Sequence, residues 1–241
     1  MSLIMLGDCI ESLKIIETEH IDLIVTSPPY KDEDGYDYKM IYQMIQECTR
    51  VLKEGCLFFI NFGHLAGFKS RPFDVANTAF FHGLNWIDTI VWIKNHYTPL
   101  QGEKRLNNLW EYIFMFSKGH VHDLDRLSIG VPYTDKENAA RYGKGKNLRC
   151  GGNVWNIGYE TLNGSNIKYH NDRFPVELPT RCIKLANKNV DDGPIVLDPF
   201  SGSGSTAVAA VRQGWNYIGI EHNEVHHKTA LTRLKNEYSL F

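Results

Sequence analysis

The sequence predicts an α/β fold organised around an open sheet, and three observations carry that expectation. Short β-rich runs alternate with apolar residues at helical spacing. Two hydrophobic strands empty into loops of unusual chemistry, one rich in proline and one in glycine. The composition, 43% apolar and 22% charged over 241 residues, suits a chain that buries a sizeable core. Disordered and collagen-like architectures are excluded by the same figures.

Ser2 to Leu6 reads as a strand, Ile10 to Ile16 as a short helix and Ile21 to Thr26 as a second, buried strand. After a polar loop at Lys31 to Tyr38, the residues Met40, Ile41, Met44, Ile45, Cys48, Val51 and Leu52 form one apolar helical face, which Lys53-Glu54-Gly55 should end. Strand Cys56 to Asn61, helix Pro72 to Phe81 and strands Trp86 to Ile93 and Trp110 to Ser117 come next. No clear helix separates the last two strands, so an antiparallel pair at a sheet edge is expected. From about Lys118 to His170 the rhythm fails, and Tyr142-Gly-Lys-Gly-Lys146 and Gly151-Gly152 break any long element. Helix Val176 to Ala186, strand Ile195 to Leu197, helix Ser205 to Gln213, strand Asn216 to Ile220 and helix Glu224 to Tyr238 complete the chain. The expectation is a single domain made of residues 1–117 and 171–241, interrupted by an irregular insertion at 118–170.

The apolar runs Ile21 to Val25 and Cys56 to Ile60 are far shorter than the roughly 20 residues of a membrane span, and the first residues lack a basic region or cleavage site. A soluble, unexported, cytoplasmic protein without a membrane partner is expected. Five cysteines (Cys9, Cys48, Cys56, Cys150, Cys182) at irregular spacing suggest neither a zinc knuckle nor a disulfide framework, and no metal is expected. The net charge is -2, but residues 118–188 carry net +5 against net -7 for the rest. An acidic body with one basic segment is compatible with binding a polyanion through that segment.

The C-terminal loop is Ile195-Val-Leu-Asp198-Pro-Phe200-Ser-Gly202-Ser-Gly204-Ser205-Thr206-Ala207, a strand entering a Gly-rich turn that opens a helix. Such a turn brings bare backbone close to a ligand, and Glu221 ends the next strand where an acid can accept from ribose hydroxyls. A nucleoside cofactor fits this pattern; so does a glycine turn with a purely structural task. The N-terminal loop is Thr26-Ser27-Pro28-Pro29-Tyr30. Two prolines stiffen it and remove N–H donors, leaving an acceptor-rich pocket beside an aromatic ring. That suits a planar amine, with the Ser27 Oγ and the Pro28 carbonyl each taking one N–H and Tyr30 stacking. A Pro-Pro turn beside a surface tyrosine is the alternative.

Together the two loops resemble the S-adenosylmethionine-dependent DNA amino-methyltransferases, which modify N4 of cytosine or N6 of adenine. Ser27-Pro28-Pro29-Tyr30 matches the family's (S/D/N)-P-P-(Y/F) motif and Asp198-Pro-Phe-Ser-Gly-Ser-Gly204 its cofactor motif. Gly7-Asp8 looks like the family's G-D element, Glu221 like its ribose-binding acid, and His170-Asn-Asp-Arg-Phe174-Pro175 like its H-x-x-x-F-P element, although Asp172 stands where a small residue is expected. The order of loops is that of the permuted β class.

The resemblance implies a Rossmann-like, seven-stranded sheet with one antiparallel strand, S-adenosylmethionine as cofactor and DNA as substrate. It also implies a homodimer and a cognate restriction endonuclease as candidate partners. Asp198 should pair with the methionine ammonium, Glu221 with the ribose, Asp8 or the backbone at Cys9 with the adenine, and Phe200 or Phe174 should face the sulfonium. Gly202, Gly204, Ser205 and Thr206 form the cofactor turn. Asp8 is equally placed to cap a helix, since Glu11 stands three residues on. Arg141, Lys144, Lys146, Arg149 and Arg173 are candidate phosphate contacts, and Asn153 or Arg149 candidate readers of base edges. The acidic loop with Asp32, Glu33, Asp34 and Asp37 is expected to be mobile and ordered by ligand. The five tryptophans (Trp86, Trp92, Trp110, Trp155, Trp215) are expected mostly in core or edge packing, with Trp155 a candidate DNA contact. Serine at the first motif position favours cytosine N4, with adenine N6 the alternative. A nicotinamide enzyme lacks a second half after Glu221, and a C5-cytosine enzyme is excluded because no proline is followed by cysteine. A silent DNA-binding module would not need both motifs intact.

Overall fold

The computed structural model describes residues 2–30, 38–63, 70–95, 106–120, 123–143, 145–158, 173–186 and 193–239. The acidic loop, Lys144 and His170 lie outside them.

Strand β1 (Leu3–Leu6) leads into helix α1 (Cys9–Lys14), whose first turn is capped by Asp8: its Oδ1 accepts from the N–H groups of Ile10 and Glu11 at 2.9 and 3.0 Å. Strand β2 (Ile21–Thr26) is buried along its whole length, as expected of a strand covered on both faces. Its one acid, Asp22, is neutralised by Lys53 at 2.6 Å and accepts from the Ile195 N–H at 2.9 Å. Helix α2 (Tyr38–Val51) lays Ile41, Met44, Ile45, Cys48 and Val51 on the sheet.

Strand β3 (Leu52–Phe62) begins earlier than its sequence suggested. Lys53-Glu54-Gly55 belongs to the strand rather than to a helix stop, with a register shift against β2 and Gly55 in the left-handed region at φ 78°. Helix α3 (Arg71–Phe81) and strands β4 (Leu84–Ile93) and β5 (Trp110–Lys118) follow.

The segment expected to be wholly irregular contains short elements: β6 (Val131–Pro132), α4 (Lys136–Tyr142), β7 (Leu148–Arg149) and β8 (Val154–Asn156). Strands β6 and β7 pair antiparallel as a separate ribbon, and α4 buries none of its residues. The chain closes with α5 (Glu177–Ala186), β9 (Ile195–Asp198), α6 (Ser205–Gln213), β10 (Asn216–Glu221) and α7 (Glu224–Tyr238).

The main sheet has the order β1-β10-β9-β2-β3-β5-β4-β8, and β5 alone runs antiparallel to its neighbours. Among the described residues it thus holds eight strands rather than seven. The addition is β8, which pairs with β4, so the antiparallel pair sits one place in from the edge. One face packs against α5, α6 and α7 around Phe174, Leu178, Ile183, Val208 and Leu234; the other packs against α1, α2 and α3 around Leu13, Met44, Phe58 and Val75. Strand β9, late in the chain, lies between β10 and β2, so the glycine loop and the proline loop leave neighbouring strands at the same end of the sheet. Among the described residues no helix is long and apolar enough to cross a membrane.

Candidate active site

A buried hydrogen bond joins the two loops. Thr26, the last residue of β2, donates from Oγ1 to Asp198 Oδ1 at 2.8 Å, across 172 positions of sequence. Asp198 is 3% exposed and also accepts from the Thr206 hydroxyl at 2.6 Å and the Phe200 N–H at 3.1 Å. Burial pushes its pKa up to about 6, against the pull of these three donors, so the group is a carboxylate at neutral pH. Asp198 is therefore a fastener of the two loops.

The glycine turn is tied down by backbone and by charge. Gly202 and Gly204 adopt φ 50° and 82°, and a Cβ on Gly204 would stand 3.0 Å from the Cβ of Ala230. Glu221 accepts from the Gly202 N–H at 2.8 Å and from the Asn223 N–H at 2.7 Å, with His222 Nδ1 at 3.3 Å. An ionised carboxylate offers about four acceptor sites, so capacity for ribose hydroxyls remains. Ser205 and Thr206 are buried in the first turn of α6. Arg233, which nothing in the sequence singled out, reaches from α7 to the Ser203 carbonyl at 2.7 Å and fixes the far side of the turn. Ser201 has a buried hydroxyl without a hydrogen-bond partner among the described residues.

The other expected cofactor residues stand in different states. Phe200 is half-buried beside it, whereas Phe174 is 7% exposed and sits within the core. Asp8 is the cap of α1, as its alternative reading had it. Cys9 is buried, and desolvation aided by Asp8 pushes its thiol up to about 12, which leaves an inert packing group.

The proline loop is held from a distance. The Tyr30 hydroxyl lies 3.1 Å from Ser27 Oγ, donates towards Glu111 Oε2 at 2.9 Å and Asn61 Oδ1 at 3.1 Å, and its ring packs on Phe62 with centroids 4.6 Å apart. Arg71 donates to the Tyr30 carbonyl at 3.1 Å. Glu111 also pairs with Lys94. Gly63 makes this approach possible, since a Cβ there would fall 2.7 Å from Tyr30 Cε2 and 3.0 Å from Glu111 Oε1. None of Asn61, Gly63, Lys94 or Glu111 carried a motif signal; the one available hint was a charged residue interrupting the apolar run of β5.

The candidate DNA-binding residues divide. Arg141 on α4, Lys146 in the following turn and Arg149 on β7 are exposed on the ribbon and its helix, and Arg149 lines a depression of about 270 Å3 with Tyr133, Asn138 and Tyr142. Asn153 instead spends its amide donors on Asp88 Oδ1 and the Thr89 carbonyl at 3.1 and 3.2 Å, stitching β8 to β4. Arg173 lies beside the cofactor turn, 3.5 Å from Ser203 Oγ. Trp155 takes the packing role expected of the tryptophans rather than the candidate DNA contact: it is 2% exposed in β8 and packs in the core.

The sequence matches the profile of the DNA methylase family of N6 and N4 methyltransferases over residues 21–232. It is 29% identical over 255 residues to the DNA adenine methyltransferase YhdJ of Escherichia coli (strain K12), covering 95% of this chain and 81% of that protein. It is 30% identical over 251 residues to the type II methyltransferase M.HpaI of Haemophilus parainfluenzae, covering 98% and 74%. The fold is shared with the PvuII DNA methyltransferase (cytosine-N4-specific), with a TM-score of 0.76 at 19% identity over 99% of this chain and 91% of that one. With both loops on adjacent strand ends and most of its length matching one profile, the chain belongs to the N6/N4 DNA methylase family.

Proposed function

We propose that this enzyme transfers a methyl group from S-adenosylmethionine to N4 of cytosine in DNA, with the base extruded from the helix into the proline loop. The observation that carries the reading is the Thr26–Asp198 bond, which sets the amine-accepting loop and the cofactor loop side by side. Serine at position 27 supports cytosine through the family resemblance. Adenine N6 is the second reading, supported by the similarity to the adenine enzyme of Escherichia coli.

The donor set fits the cofactor: Asp198 supplies negative charge for an ammonium, Glu221 spare acceptor sites for ribose, and Gly202 a bare backbone approach. S-adenosylmethionine, the cofactor of the site, supplies an electrophilic sulfonium methyl. The remaining work falls to the chain. An exocyclic amine is a poor nucleophile because its lone pair is delocalised into the ring. Ser27 Oγ and the Pro28 carbonyl draw on its two N–H bonds, the nitrogen becomes pyramidal, and the lone pair is aimed at the methyl. A serine hydroxyl is too weak a base to remove a proton first, so attack precedes deprotonation. Tyr30, steadied by Phe62, offers its ring to the extruded base, whose unstacking costs a few kcal/mol. Residues 118–170 act as the target-recognition segment, with Arg141, Lys146 and Arg149 on DNA phosphates. A homodimer and a companion endonuclease belong to the same proposal.

The test is incubation with mixed genomic DNA and methyl-labelled S-adenosylmethionine, followed by digestion to nucleosides and mass identification. Labelled N4-methylcytosine is expected. Labelled N6-methyladenine would keep the mechanism and replace the base, and no labelled nucleoside would refute the reading.

A further inference from the structure

Attack by the amine leaves a cationic, methylated nitrogen whose proton must go somewhere, and Ser27 cannot keep it. We propose that Glu111 is the terminal acceptor of that proton, reached through Ser27 and Tyr30. The inference rests on the reading of Ser27 as the acceptor of the target amine.

Hydrogen-bond polarity sets the direction. Two atoms that only accept face the Tyr30 hydroxyl: Glu111 Oε2 at 2.9 Å and Asn61 Oδ1 at 3.1 Å. The orientation of Asn61 follows from its other end, where Nδ2 donates to the Tyr112 carbonyl at 2.9 Å. The single phenolic hydrogen is therefore committed to one of them, and at the 3.1 Å contact with Ser27 the phenol oxygen must accept. Ser27 then donates to Tyr30 and turns its lone pairs outward, which is what an incoming N–H requires.

The same chain conducts a proton. An N–H bond of the methylated amine breaks as an O–H bond forms at Ser27 Oγ. The original Ser27 hydrogen passes to Tyr30 Oη, and the original Tyr30 hydrogen passes to Glu111 Oε2. The product amine is neutral, Ser27 and Tyr30 regain their starting forms, and Glu111 becomes a carboxylic acid until water reaches it. Asn61 has no basic site and cannot take this part. Lys94 pairs with Glu111 Oε1, which leaves Oε2 turned to Tyr30. A weak base suffices, because the methylated nitrogen no longer shares its lone pair with the ring and is strongly acidic.

The experiment compares steady-state turnover of methyl transfer to genomic DNA, a rate that includes loss of the proton and product release, for the wild type, Glu111→Gln, Tyr30→Phe, the double variant and Glu111→Asp. Cofactor affinity, KM for DNA and thermal midpoint are measured alongside. Each single variant is expected to slow turnover at least roughly tenfold with cofactor affinity and KM for DNA unchanged, while Glu111→Gln, which takes the charge partner from Lys94, also lowers the thermal midpoint. The double variant should be no slower than the slower single one, because both break one chain. Glu111→Asp should recover part of the rate. A Glu111→Gln enzyme as fast as the wild type, or multiplicative losses in the double variant, would overturn the proposal. Should Glu111→Gln fail to fold, Tyr30→Phe decides alone, and a wild-type rate for it is fatal. If the wild type methylates no DNA, the proposed function falls and takes this inference with it; if it does, only the variants speak to Glu111.

Discussion

The two loops of the active site leave adjacent strands, yet they are secured in opposite ways. The cofactor turn is tied largely by groups from its own C-terminal stretch: Thr206, the Phe200 N–H, Glu221 and Arg233 all follow β9 in sequence, while Arg173 precedes it and Thr26 comes from far upstream. The proline loop takes its anchors from three distant elements, Asn61 on β3, Arg71 on α3 and Glu111 on β5. On the proposed function, the turn that holds the cofactor is a compact unit whose loss costs stability. The loop that admits the base is short, stiff and propped from outside, so it can be disturbed without unfolding the protein.

The strongest way to break this contrast is Asp198→Ala. Two buried hydroxyls and the Phe200 N–H would lose their acceptor, and the expectation is a loss on the order of 3 kcal/mol in urea unfolding together with lost cofactor binding by calorimetry. If stability held while cofactor binding vanished, Asp198 would be a ligand contact and not a fastener.

A pH titration sharpens the same point. The folded-state pKa of Asp198, about 6, exceeds its ordinary value of 3.8, so the native state binds the proton more tightly than the unfolded chain. This group's contribution to stability is largest below about pH 4, falls as pH rises towards 6 and is flat above. Relative to Asp198→Asn, the wild type should gain up to about 3 kcal/mol between pH 7 and pH 4. A difference between the two that does not change with pH would contradict the buried-carboxylate account. Cofactor affinity should move the other way, weakening below pH 6 as the charge is lost.

On the proline loop, Gly63→Ala should push Tyr30 and Glu111 aside and slow methyl transfer roughly tenfold to a hundredfold while leaving cofactor affinity unchanged. Equal losses in both would mean that the loops are not independently secured. The smallest effect is expected at Asp8→Ala, which removes the cap of α1 and costs about 1 kcal/mol in thermal or urea unfolding. A larger fall in cofactor affinity than in stability would restore Asp8 as an adenine contact.

Much of this architecture was legible beforehand because it is written in local pattern. Ile21–Thr26, Ser205–Gln213 and Glu224–Tyr238 run in the structure over the residues that their periodicity marked. The two motifs stood out because proline and glycine alter backbone chemistry whatever the context. Errors arose where context decides. Lys53-Glu54-Gly55 resembles a helix stop, but a bulge lets it start a strand. Asn153 and Trp155 resemble recognition residues by composition, but strand pairing with β4 turns one into a stitch and the other into core.

The sequence by itself determined the α/β rhythm, the two reactive loops and the family, since each depends on residue type over a few neighbouring positions. Only the tertiary structure decided that Thr26 meets Asp198, that Gly63 makes room for Tyr30, and that Glu111 with Lys94 stands behind the Tyr30 hydroxyl. Those are contacts between strand ends far apart in the chain, fixed by sheet order and register, and no local pattern encodes which side chains such a register brings face to face.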